Sequence, residues 1–92
     1  MPQTRTVTET LTEKLRAAFA PEDFELIDDS EKHRGHGGWR EGGESHFRLR
    51  MVSAVFEGQT RVQRQRAVNM VLAEELAGPV HALSMELRAP GE

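Results

Sequence analysis

The sequence predicts an α+β domain of order αββαβ, with two main helices on one face of a small mixed three-stranded sheet. Three observations carry that prediction. Apolar residues recur at helical spacing in two stretches, one near the N-terminus and one past the middle. Between and after them, three short stretches alternate apolar and polar residues, so each strand offers one apolar face for helices to cover. Proline and glycine fall at the ends of these segments, where chain breaks are needed.

The first helix opens at Thr6, which with Glu9 forms a capping-box pattern, and carries Val7, Leu11, Leu15, Ala18 and Phe19 as one stripe. Pro21 ends it. Residues 24–28 read as a short strand with Ile27 on the face opposite Phe24 and Leu26. Residues 31–44 hold five of the eight glycines and little that is apolar, which predicts a mobile surface loop. From 45 to 53, Phe47, Leu49 and Met51 alternate with His46, Arg48 and Arg50, the pattern of a half-solvated strand. Phe56-Glu57-Gly58 turns the chain. One long helix is expected over about 60–76, with Val62, Val68, Val71, Leu72 and Leu76 facing inward and Gly78 and Pro79 stopping it. The last strand spans 81–88, with Leu83, Met85 and Leu87 on one face. No internal repeat or second domain is visible, so residues 1–92 read as one domain with its core over about 6–88.

Composition narrows the function classes. At 92 residues with no cysteine, the chain cannot use disulfides, and packing or a partner must stabilise it. Its 37% hydrophobic and 29% charged residues suit a water-facing globular domain, and no apolar run approaches the roughly 20 residues of a membrane span. The N-terminal residues lack a basic and then apolar leader pattern, so the expected location is the cytoplasm. A net charge of −3 argues mildly against a dedicated nucleic-acid binder, although Arg61, Arg64 and Arg66 cluster at the start of the second helix and Arg48 and Arg50 share a strand.

Catalysis is not indicated. There is no thiol nucleophile, no paired carboxylates and no phosphate-binding glycine motif. Ser45 and His46 are neighbours on a strand, which sends their side chains to opposite faces. The chemistry available to a cysteine-free chain is imidazole. His33 and His36 lie in the glycine-rich loop, and His81 heads the last strand behind Gly78-Pro79. Imidazole can replace thiolate on one iron of an iron–sulfur cluster, whereas His-x-x-His alone is too few ligands for zinc. Protonated imidazole cannot coordinate, so such ligation would weaken in acid. Read by itself, His81 serves as well as a helix cap, and His33 and His36 as solvated loop residues. His46 reads as structural or peripheral on the open face of the sheet. Trp39 pins the loop or meets a partner.

Several stretches together resemble the BolA family: Asp28-Asp29-Ser30, Gly43-Glu44-Ser45-His46-Phe47, Val52-Ser53 with Phe56-Glu57-Gly58, Val62-Gln63-Arg64-Gln65-Arg66, Leu72-Ala73-Glu74-Glu75-Leu76 and Val80-His81-Ala82-Leu83. The likeness covers about residues 9–88. It implies a fold like a type II KH domain and a heterodimer with a monothiol glutaredoxin, sharing a [2Fe–2S] cluster together with glutathione. No cofactor is expected on the chain alone. In that picture His81 is a cluster ligand, and His33 or His36 is the second. The implied role is a non-enzymatic one in cluster assembly, delivery or iron sensing. The family's usual Arg-His-Arg is Arg64-Gln65-Arg66 here, so no role passes to that central histidine.

The alternative is a KH-like transcriptional regulator that binds DNA or RNA through Arg61, Arg64 and Arg66. A KH clamp needs Gly-x-x-Gly, and this chain has Gly58-Gln59-Thr60-Arg61 instead. An apo homodimer through a free sheet edge is left open.

Overall fold

The computed structural model describes residues 6–29 and 45–92. Helix α1 (Val7–Phe19) leads into β1 (Asp23–Asp28), and β2 (His46–Val52) runs into a single 3-10 turn (Ala54–Phe56). Helices α2 (Arg61–Val71) and α3 (Ala73–Ala77) then precede β3 (Ala82–Arg88). The sheet order is β1-β2-β3, antiparallel between β1 and β2 and parallel between β2 and β3. This is the mixed α+β arrangement that the alternation predicts.

Side-chain period sets the two faces of the sheet. The register aligns Phe24 with Met51 and Leu87, Leu26 with Leu49 and Met85, and Phe47 with Leu83. These apolar rows meet Leu11, Leu15, Phe19, Val68 and Leu72 from the helices in one core. The opposite rows read Asp23-Val52-Arg88, Glu25-Arg50-Glu86 and Ile27-Arg48-Ser84. A one-residue slip would exchange the faces, so core burial fixes the register.

Caps account for the helix starts. The Thr6 hydroxyl accepts from the Glu9 N–H at 3.1 Å. Thr60 and Gln63 form a full reciprocal box, Thr60 N–H donating to Gln63 Oε1 at 2.8 Å and Gln63 N–H to Thr60 Oγ1 at 3.1 Å. The second box is absent from the expectations above, although Thr-x-x-Gln is its signature. Helix α1 ends through Ala20 in the left-handed region, with Pro21 unable to continue the ladder.

Two expectations for the second helical segment are corrected. Leu72, at φ −102° and ψ 20°, divides it into α2 and α3 instead of leaving one long helix. No glycine or proline marks that break; Leu72 is itself fully buried, and the bonds from Leu72 N–H to Val68 O and from Leu76 N–H to Leu72 O run across it. Val62 is 52% exposed rather than inward. The buried positions are Arg64, Val68, Leu72 and Glu75, spaced by three and four, and Val62 lies off that stripe. Glu75 is tied to α1 by Lys14, whose Nζ donates to Oε2 at 2.7 Å. At Gly78 an added Cβ would stand 3.3 Å from the Glu74 carbonyl, so the turn into β3 favours glycine.

Two polar joints lock the core. The buried Ser53 hydroxyl donates to Phe19 O at 2.6 Å, and Ser53 N–H to Arg88 O at 2.9 Å, joining α1, β2 and β3. Arg64 makes the other. Its guanidinium donates to both Glu92 oxygens at 2.6 and 2.7 Å, to Leu87 O at 3.1 Å and to Gln59 O at 3.0 Å. The Arg64 hydrogen bond, then the Ala89 N–H, hold the Glu92 carboxyl well below its usual value, at about 2. A depressed carboxyl favours the folded state above its unfolded pKa of 4.5 and loses that contribution as pH falls toward 2. Glu92→Gln is therefore expected to lower the melting temperature at neutral pH and to flatten its fall between about pH 4.5 and 2. Calorimetry across that range checks it, and parallel curves for the two proteins would refute it.

Candidate functional site

The site is built where the start of β2 lies beside the start of β3. Parallel pairing sets His46 opposite Ala82, which brings His81 alongside Ser45. His81 N–H donates to Ser45 O at 2.7 Å, and Ala82 N–H reaches the same oxygen at 3.2 Å. Val80, just before, is buried, while His81 itself is exposed. The backbone of His81 is thus fixed at its junction with the sheet, and its imidazole faces solvent.

Of the two expected roles for His46, structural or peripheral on an open face, its burial fits the structural one. It occupies the register position on the solvent side of β2, yet it is only 4% exposed. Its ring lies against that of His81, centroids 5.1 Å apart and planes inclined at 49°. Its Nδ1 shares a hydrogen bond of 2.9 Å with the Ser45 hydroxyl. That contact corrects the idea that Ser45 and His46 point to opposite faces. Ser45 precedes the first residue of β2, so strand alternation does not govern its side chain. A signal for the Ser45-His46-His81 grouping exists only once the parallel pairing of β2 with β3 is known, since their apolar rows then share one offset that carries His46 to Ala82.

His33 and His36 lie outside the described residues, as does Trp39. Among the described residues no group of three or more His, Cys, Asp or Glu side chains converges to hold a metal ion.

The basic residues divide. Arg64 is 8% exposed and faces inward to the Glu92 carboxylate, whereas Arg61 and Arg66 are exposed on α2. Arg64 is thus a structural cation, unavailable to nucleic acid or a partner without breaking its clasp. Val62 and Met70 are exposed on the same helix, Met70 at 80%. On the sheet, Arg48 pairs with Asp29 at 3.1 Å, and Arg50 lies 3.7 and 3.9 Å from Asp23 and Glu25. The open sheet face is therefore a mosaic of opposed charges rather than a positive patch. No helix among the described residues is long and apolar enough to cross a membrane.

Comparison with known proteins places these features. A family profile described as BolA-like protein matches residues 15–92. BolA-like protein 1 of Homo sapiens is 46% identical over 79 residues, covering 86% of this chain and 55% of its own length. The chain thus spans little more than half of that relative. The DNA-binding transcriptional regulator BolA of Escherichia coli is 42% identical over 79 residues, covering 86% of this chain and 71% of its own. Among solved structures, BolA1 from Arabidopsis thaliana superposes with a TM-score of 0.85 at 32% identity, over 97% of this chain and 98% of that one.

Proposed function

This chain belongs to the BolA-like family, and from that premise we propose that it is a non-enzymatic adaptor that binds a monothiol glutaredoxin and shares a [2Fe–2S] cluster with it. The observation that carries this reading is His81: an exposed imidazole on a backbone anchored by Ser45 O, in the family-matched part of the chain. The donor set suits a shared group. The described residues offer no self-sufficient metal site, so a cluster bound through His81 must draw its remaining ligands from elsewhere. A glutaredoxin cysteine and glutathione would supply thiolates to one iron, leaving the other for nitrogen. His33 or His36 is the proposed second nitrogen ligand. When bound, the cluster would supply a transferable iron–sulfur centre for assembly, delivery or iron sensing. The protein's own part is to hold one ligand fixed at the edge of a rigid sheet.

The experiment is a titration of this protein into a [2Fe–2S]-loaded monothiol glutaredoxin, followed by visible circular dichroism. A new spectrum saturating at one to one is the expected result. A spectrum that remains that of the glutaredoxin alone would defeat the proposal.

A second reading is favoured by the name of the Escherichia coli relative and by the exposed Arg61 and Arg66. In it, α2 contacts the phosphate backbone of DNA or RNA. Each phosphate contact contributes about 0.9 to the slope of log affinity against log salt on duplex DNA. Arg61→Ala with Arg66→Ala should then reduce that slope by about 2. Absence of binding to mixed DNA and RNA probes at low salt would sink this reading.

A further inference from the structure

His81 is exposed on one side and backed on the other, and the residue that backs it has no part in the function proposed above. We propose that His46 is a positioning residue for His81, setting the orientation of that imidazole before any ligand arrives. The inference rests on the reading of His81 as a cluster ligand.

Three observations converge on it. His46 is enclosed although its register position is on the solvent side of β2, where Arg48 and Arg50 further along are exposed. Its ring is 5.1 Å from that of His81, in a tilted contact. One buried residue, Ser45, restrains both histidines: its carbonyl accepts the His81 N–H, and its hydroxyl bonds His46 Nδ1. The backbone of one histidine and the ring of the other are therefore tied to the same point.

The physical consequence is a narrowed choice of rotamers. An exposed histidine ordinarily samples several χ1 wells. At position 81 the volume on one side is filled by a ring that is itself held in place. The wells that would carry the His81 ring into that volume are closed, and the imidazole is pre-set for ligation. Groups that orient a metal ligand through a hydrogen bond typically govern about 10- to 100-fold in metal affinity, and a ring that restricts the same ligand by packing is expected at the low end of that range.

The first readout needs no cluster. In the apo protein, NMR side-chain couplings of His81 should report one dominant χ1 rotamer, averaged in His46→Ala and restored in His46→Phe, which keeps a ring at the contact. In the mixed complex with a loaded glutaredoxin, His46→Ala should shift the visible circular dichroism bands and weaken cluster retention against a chelator about 10-fold. His46→Phe should stay near wild type. Should His46→Ala not fold, His46→Asn, which keeps a polar side chain beside the Ser45 hydroxyl but no ring at the contact, should give the same averaging. Unchanged His81 couplings and unchanged bands in these variants would overturn the positioning role. That failure is distinct from failure of the ligand reading, in which His81→Ala itself leaves the mixed spectrum untouched.

Discussion

His81→Ala is expected to remove the spectrum of the mixed complex and return it to that of the loaded glutaredoxin alone. The expectation follows from an exposed imidazole whose ring packs against that of His46, so its loss should take away a ligand without taking away the fold. The backbone bond from residue 81 to Ser45 O does not depend on the side chain and should survive. Exposed substitutions away from special features change stability by about 0.5 kcal/mol or less, so the urea midpoint should barely move. Two measurements decide the matter together: visible circular dichroism of the complex and chemical unfolding of the apo protein. A wild-type spectrum with His81→Ala would discard the ligand assignment. A large loss of stability would instead make His81 a structural residue.

Phe56→Ala should have the largest effect on the fold. Phe56 is fully buried at the 3-10 turn, and its ring centroid lies 5.2 Å from that of Phe19 at the end of α1. The Arg64 guanidinium also sits over the Phe56 ring, 5.9 Å from its centroid. Truncation thus opens a cavity beneath α1 and uncovers the buried cation that holds Glu92. Phe-to-Ala changes in cores cost about 3–5 kcal/mol, against a total of roughly 5–14 kcal/mol for a domain of this size. The variant should unfold at much lower urea, with little change in the dependence on denaturant, as followed by far-ultraviolet circular dichroism. A loss below about 1 kcal/mol would mean that the turn rearranges to fill the space.

The two effects separate the layers of the molecule. Phe56 belongs to the core that every strand and helix builds together, and its removal should be felt throughout. His81 lies at the margin, on a segment fixed by two backbone hydrogen bonds to Ser45. Arg61 and Arg66 share this marginal character, whereas Arg64, three residues from one and two from the other, belongs to the core.

What the sequence determined by itself is the information that repeats locally. Period-two alternation in residues 24–28, 47–51 and 83–87 fixed which side chains enter the core, because neighbouring residues on a strand must face opposite ways. Helical spacing placed Leu11, Leu15 and Phe19 on one stripe, and proline and glycine marked the ends. The choice of His81 as a ligand came from the family resemblance and not from any local pattern. Three things were decided only by the tertiary structure. The break at Leu72 carries no glycine or proline and falls at a fully buried residue. The inward turn of Arg64 depends on Glu92, a carboxylate 28 residues away. The enclosure of His46 against His81 depends on parallel pairing of strands far apart in sequence. The last two are contacts between groups whose separation along the chain hides them from any local pattern, and all three lie at buried positions.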